Sequence, residues 1–344
     1  MNAIVLREFG GPEVLRTEDI ETPEPGPGEV LIRVHNVSVN VTLDILMRRG
    51  LHPYKPAFPH VLGVDPTGEV VALGPGVDRP AVGDRVAVHL HLRSPDCPPG
   101  REAEDAGDGL IGIHRWGGYA EYIAVPAENA FVIPDALSSA DACVVVRHLP
   151  TAHHMLYKKA ELTAGETILV MGATGGLGSC CIQVAKRLGA TVIGAAGADD
   201  RVAKGIEFGA DHGVNYRSQN LAEEVMKLTD GKGVDVVAEN IGDPELFPAA
   251  LESLARFGRM VTAGAHGGGK VMLDISRLYL RRIRIIGTPG CDFSDIEWSM
   301  EAAKDGSIRP PVIDRIMPLS EAVAAHRLIE SREPVGKILL DPSA

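Results

Sequence analysis

Residues 166 to 189, ETILVMGATGGLGSCCIQVAKRLG, carry an apolar run into a glycine cluster and leave it as an amphipathic segment. That pattern predicts a strand, a tight turn and a helix. Thr167 to Met171 are β-branched or apolar on both faces, as a strand buried in a parallel sheet must be. Gly172, Gly175, Gly176 and Gly178 then remove the Cβ atoms where the chain turns, so bare backbone can approach a ligand. The N–H groups that open the helix have no intrahelical partner and lie at the positive end of its dipole, which suits a pyrophosphate. With a second strand predicted at Thr191 to Ala195, the stretch has the make-up of a dinucleotide-binding unit.

The chain has 344 residues, more than one hydrophobic core usually serves, so two domains are expected. A net charge of −12 with no basic block argues against a nucleic-acid or anionic-membrane surface and favours small-molecule partners. The five cysteines, Cys97, Cys143, Cys180, Cys181 and Cys291, have no framework spacing and read as thiols in a reducing compartment. The amino terminus MNAIVLREFG lacks a signal pattern and no apolar stretch is long enough to span a bilayer, so the expected location is cytoplasmic.

Up to about residue 126, short alternating runs separated by Pro and Gly predict antiparallel strands in a barrel-like domain. Thr42 to Arg49 reads as a short helix ended by Gly50, and 93 to 118 as a long loop. Ser138 to Asp141 is a capping-box pattern opening an apolar helix that Pro150 is expected to break or kink just after Arg147 and His148. From Glu166 strands and helices alternate, which predicts a parallel sheet with helices on both faces. The tail after 293, ending in a strand at Lys337 to Leu340, is expected to return to the first domain. Domains are thus expected at 1–126, 127–292 and 293–344.

The motifs FGGPEVL, SVN followed by Asp44 and RRG, LGVDPTGEV, GDRVA, GGYAEY, the pair Thr151 and Ala152, GATGGLG, EFGADHGVNY, GVDVVAENIG and VGKILL run along essentially the whole chain. Together they resemble the medium-chain dehydrogenase/reductase superfamily, and Ala173 to Gly178 resembles the glycine turn of its zinc-free quinone oxidoreductase and enoyl reductase branch. The fold so implied is α/β, a Rossmann parallel-sheet domain plus a GroES-like β-barrel catalytic domain. The activity so implied is NADPH-dependent hydride transfer to an activated C=C of an α,β-unsaturated carbonyl, enoyl thioester or quinone. An alcohol or aldehyde dehydrogenase and a non-catalytic NADPH-binding module stay open as alternatives.

The resemblance also places the site. Val41, Val64 and Arg147 stand where zinc-dependent relatives carry their catalytic ligands, and Ser94, Cys97, Gly100 and Asp108 where they carry a cysteine lobe, so no zinc is expected. A different metal site assembled from His89, His91, His148, His153 or Cys97 is the minor alternative. Asn40 and Asp44 correspond to an Asn and Asp at the mouth of the cleft, with one extra residue between them; His52 replaces a tyrosine, with Tyr54 just beyond; Arg147 faces the nicotinamide or, in the preferred alternative, pairs with Asp65. Cofactor contacts are implied for Thr151, Gly172, Ala173, Thr174, Gly175, Gly176, Leu177, Gly178, Gly197, Arg201, Tyr216, Asn240, Gly264 and His266.

Alanines and glycine at 195 to 197 replace the acid of an NAD-type site, while Arg201 and Tyr216 match residues that grip NADPH, so NADPH is expected over NADH. The apolar strand Ile283 to Gly287 would be an exposed sheet edge unless paired, which leads us to expect a homodimer or homotetramer.

Overall fold

The computed structural model describes residues 1–105, 107, 109–331, 333, 334 and 336–344. The chain divides into two compact units, one of residues 1–147, 296–305 and 310–344, the other of 148–295 and 306–309. No helix among the described residues is long and apolar enough to cross a membrane.

In the first unit the strand Glu29–Ser38 is central. Val30, Ile32 and Val34 turn inward and are at most 2% exposed, while Arg33 on the other face donates to Glu69 at 2.8 Å. This strand pairs with Thr67–Leu73, with Tyr122–Pro126 and with the carboxy-terminal strand Lys337–Asp341, all antiparallel. The tail therefore does rejoin the barrel, setting Leu339 against Ser38 and Leu340 against Val37. The strand Leu15–Asp19, which pairs with Asn2–Leu6, has no counterpart in the sequence reading. Four of its five residues are exposed or half-buried, so no apolar alternation marks it.

The unit extends to Arg147, beyond the change of sequence character near 126, because Ala130–Val132 pairs with the barrel strand Arg85–Val88 and the opening turns of the next helix also belong to it. That helix, Ser139–His153, opens as expected: Ser138 Oγ accepts the N–H of Asp141 at 3.0 Å and donates to its carboxylate at 2.7 Å. The expected break at Pro150 does not occur. Helical backbone continues through it to His153 and into a wide π-type turn, His154–Lys159. Leu149, Ala152, Met155 and Leu156 are fully buried, and their burial outweighs the one hydrogen bond that proline cannot donate. Arg147 and His148 accordingly project from regular helix.

The second unit is a six-stranded parallel sheet. Its strand order is His212–Asn215, Thr191–Ala196, Thr167–Met171, Val234–Glu239, Leu254–Thr262 and Arg284–Gly287. Helices Gly176–Arg187, Asp199–Glu207, Leu221–Leu228, Leu246–Glu252 and Ile275–Leu280 alternate with these strands, the arrangement that the sequence predicted. The strand Leu254–Thr262 begins at Leu254, which pairs with Val234. The chain leaves the sheet in opposite directions from Thr167–Met171, and such a reversal places the ligand crevice at the carboxyl ends of the flanking strands.

Candidate active site

The dinucleotide half begins at the turn after Thr167–Met171. Gly172 adopts φ +65°, and Gly175 N–H closes the turn on Gly172 O at 2.9 Å. A Cβ on Gly178 would lie 2.1 Å from that same carbonyl, so the helix Gly176–Arg187 can start against the strand end only if this position is glycine. A Cβ on Gly176 would lie 2.6 Å from the imidazole of His148, which packs over the turn. Gly205 and Gly194 each bring backbone close to the Ala173 methyl, seating the next helix against the turn. These residues fit a dinucleotide: a bare-backbone cradle, with Ala173, Thr174 and Leu177 in the same turn, opening onto the amino end of a three-turn helix.

Two further loops reach the same end of the sheet. Asn240 Oδ1 lies against Gly172, and Gly264 passes over the Asn240 carbonyl so closely that any Cβ would stand 2.3 Å from it. Glu239, fully buried and absent from the sequence reading, holds this junction. One of its oxygens accepts the N–H groups of Ile241 and Gly242 at 2.8 Å each, and the other accepts from Thr262 Oγ1 at 2.9 Å. His266 lies exposed on the second loop and Thr151 half-buried in the helix that contains Pro150.

At the outer end, Gly197 is framed by Tyr216 and Arg217: a Cβ there would meet the Tyr216 ring at 3.0 Å and Arg217 Nε at 3.2 Å. This contact leaves little room for a side chain at 197. It also adds Arg217, which sequence reasoning missed; its signal is a basic residue directly after Tyr216. Arg201 is exposed on the first turn of Asp199–Glu207, whereas Lys204 is taken up by Glu207 at 2.6 Å. Asp199 accepts from Asn215 Nδ2 at 2.6 Å, so the first acid after the strand is committed to the fold.

The polar half lies in the first unit and centres on Asn40. The extra residue between Asn40 and Asp44 is absorbed by a π-type turn, Val41–Ile45, in which Ile45 N–H reaches back five residues to Asn40 O at 3.1 Å. Asp44 is thereby returned to Asn40: its carboxylate accepts Asn40 N–H at 2.8 Å and Gly63 N–H at 3.0 Å. Asp65 accepts from Ser38 N–H at 3.0 Å, Ser38 Oγ at 2.5 Å and Asn40 Nδ2 at 3.1 Å. The other side of the Asn40 amide, Oδ1, accepts the ammonium of Lys337 at 2.7 Å. Lys337 is the second functional residue that was missed, visible in the sequence only as part of VGKILL. Burial lowers its basicity while Asp65 works to raise it.

Arg147 does not pair with Asp65. The Asp65 oxygens are occupied by Ser38 and Asn40, and no ion pair joins the two residues. Instead Cys143, one helical turn earlier, points its thiol at the Asp65 carbonyl at 3.3 Å, and Arg147 lies near enough to His89, His91 and Lys337 to make all three less basic. His89 and His91 stack at 5.4 Å. His91 is pulled down to about 4, chiefly by burial and then by Arg147. His52 is buried, with its basicity lowered first by burial and next by His114. Its Nδ1 accepts the Tyr54 N–H at 3.3 Å, which leaves the ring proton on Nε2.

The positions compared with zinc ligands hold valines and an arginine. Val41 and Val64 offer no ligand atom. The histidines considered for a different metal site do not gather with Cys97: among the described residues the one cluster of three ligand-type groups is His154, Asp292 and Asp295, and Lys158 already sits on it, 2.7 Å from Asp292 and 3.2 Å from Asp295. In the segment that resembles the cysteine lobe, Ser94 bonds Asp105 through both its N–H and its hydroxyl, at 2.7 and 2.6 Å. Asp108 lies outside the described residues.

Comparison with known proteins agrees with this architecture. Residues 26–135 match the family model of the alcohol dehydrogenase GroES-like domain, and 176–305 that of the zinc-binding dehydrogenase. An NAD-dependent alcohol dehydrogenase of Sulfolobus acidocaldarius is 31% identical, the alignment covering 99% of both chains. The chain belongs to the medium-chain dehydrogenase/reductase superfamily.

Other superfamily members resemble it to the same degree. A quinone oxidoreductase of Pseudomonas aeruginosa is 30% identical over 98% of this chain and 99% of its own, and a 2-haloacrylate reductase of a Burkholderia species is 31% identical over 99% of each. A cobalt- and zinc-bound alcohol dehydrogenase of Pyrobaculum aerophilum superposes with a TM-score of 0.87 at 34% identity, covering 99% of each chain. As a member of this superfamily the protein is an NAD(P)-dependent oxidoreductase.

The Asp44 carboxyl, fully buried, is pushed up to about 7 by burial first and by Asp65 second. The folded protein therefore keeps a proton that the unfolded chain releases near pH 4, and the stability linked to it is present in acid and lost as pH rises through 7. Melting temperatures of the wild type and of Asp44→Asn, which cannot ionise, should diverge accordingly: the wild-type value relative to the variant falls from pH 5 to 7 and is level above 8. A constant difference across that range would contradict this assignment.

Proposed function

We propose that the protein is an NADPH-dependent reductase of activated alkenes, the class that includes enones, enoyl thioesters and quinones, and that it works without zinc. The observation that carries the reading is the hydrogen-bonded set of Ser38, Asn40, Asp65 and Lys337 in place of a metal-binding set. A ketone or alcohol needs a strong electrophile at its oxygen, whereas a conjugated alkene that accepts hydride becomes an enolate, which hydrogen bonds and a nearby cation can stabilise.

NADPH, when bound, supplies the hydride. On this reading Lys337 and Arg147 provide positive charge for the enolate oxygen, Asn40 orients the ammonium, and His52 relays a proton from water to the product, taking one up at Nδ1 as it gives one up at Nε2. The names of the quinone oxidoreductase and 2-haloacrylate reductase relatives agree with it; the alcohol dehydrogenases favour the alternative. NADPH oxidation with an enone, a crotonyl thioester and a quinone, beside NAD(P)+ reduction with alcohols, each with and without chelator, separates the two. We expect turnover of at least one alkene or quinone, unaffected by chelator; turnover of alcohols alone, abolished by chelator, would overturn the proposal.

The choice of NADPH rests on Arg201, Tyr216 and Arg217 at the outer end of the cradle and on the commitment of Asp199 to Asn215. Dissociation constants read by cofactor fluorescence should show Arg201→Ala and Arg217→Ala each weakening NADPH by about 10-fold, as for one charge-assisted phosphate contact, with NADH changed little. Equal losses for both cofactors would remove the arginines from that role.

We also propose that the protein forms a homodimer through the edge strand Arg284–Gly287. Ile285 on that strand and Ile275, Tyr279 and Leu280 on the preceding helix are apolar and 37–64% exposed, more than an unpaired edge usually carries. Light scattering should give twice the chain mass for the wild type and a shift to monomer for Ile285→Pro, which cannot donate to an edge ladder. A monomeric wild type would refute the assembly.

A further inference from the structure

Arg147 is a cation without an anion. Its Nε is buried and has no hydrogen-bond partner, and no ion pair or hydrogen bond to its guanidinium is found among the described residues. The carboxylates in the same network are spent: both Asp44 oxygens accept backbone N–H groups, and the Asp65 oxygens hold Ser38 and Asn40. Around it, Lys337 adds a second positive charge, and His89 and His91 add neutral rings, kept so by burial and by Arg147 itself. Asp65 balances one of the two cations, and Asp44, whose carboxyl is pushed up to about 7, keeps its proton below that pH. One positive charge remains, and a partly buried guanidinium left unpaired is costly unless something outside the chain completes it.

The chemistry of that partner follows from the donors. A guanidinium presents parallel N–H groups matched to two oxygens on one carbon. One surplus charge matches a carboxylate; a phosphate carries nearly two and would leave one unmet. We propose that Arg147 forms a carboxylate-binding site, and that the substrate is a conjugated alkene bearing a free carboxylate. This deepens the reductase reading above and rests on it for the word substrate, while the binding site stands on the first unit alone. Neutralising the carboxylate also serves the reaction, because an ionised carboxylate otherwise repels a hydride arriving at the conjugated alkene.

The test uses the full chain and a pair of ligands alike in shape, crotonate and crotonamide. Calorimetric titration in the presence of oxidised cofactor reads binding without turnover, and kcat/KM for crotonate relative to methyl crotonate reads selection during turnover. We expect crotonate to bind about 10- to 100-fold more tightly than the amide, the scale of charge-assisted hydrogen bonds. Arg147→Gln should abolish that preference and Arg147→Lys should keep part of it, and the kcat/KM ratio should move in the same order. Equal wild-type affinity for acid and amide, or a preference that survives in Arg147→Gln, would overturn the proposal, and the wild-type comparison decides it even where a variant does not fold. A binding preference with no alkene turned over would refute the reductase reading and retain the carboxylate site.

Discussion

The contact between Gly178 and the carbonyl of Gly172 is the constraint on which the dinucleotide half depends. A helix that begins against the end of its own strand must cross that carbonyl with no side chain between them, and a Cβ would stand 2.1 Å away. Once the crossing is made, the amino end of Gly176–Arg187 is fixed at the carboxyl end of the sheet, and its free N–H groups open where strand order reverses. Glu239 completes the arrangement from beneath, gathering Ile241, Gly242 and Thr262, so that the Asn240 and Gly264 loops reach the same place.

The polar half solves a different problem. Where related zinc enzymes carry ligands, Val41 and Val64 leave only apolar side chains, and two buried acids, Asp44 and Asp65, remain close together. Their oxygens are filled by division of labour: Asp44 serves backbone, Asp65 serves Ser38 and Asn40, and the Asn40 amide passes polarity on to Lys337. Because each acid is consumed in this way, Arg147 is left over. A buried hydrogen-bond network thus determines which charge is available to a ligand.

Much of this was legible in the sequence, and the exceptions share a cause. Gly172 to Gly178 could be read as a cradle because local spacing alone dictates a strand, a turn and a helix. Asn40 and Asp44 could be paired from a motif, yet their register stayed open until a π-type turn was seen to absorb the extra residue. Pro150 does not break its helix, because a local rule about a missing N–H gives way to burial of Leu149, Ala152, Met155 and Leu156. For Arg147 the sequence leaves open whether it faces the nicotinamide or pairs with Asp65 to fill a metal position. Nothing local says that Ser38 and Asn40 have already claimed those oxygens.

The sequence by itself determined the order of elements, the glycine turn and the residue types Val41, Val64 and Arg147, since all three depend on residue type at a position. Only the tertiary structure decided how charges are matched: Lys337 reaches Asn40 across 297 positions of sequence, Arg217 comes to flank Gly197, and Arg147 is left without a carboxylate. Hydrogen bonds are limited in number and direction. Which donor takes which acceptor is therefore settled by the packing that brings distant strands together.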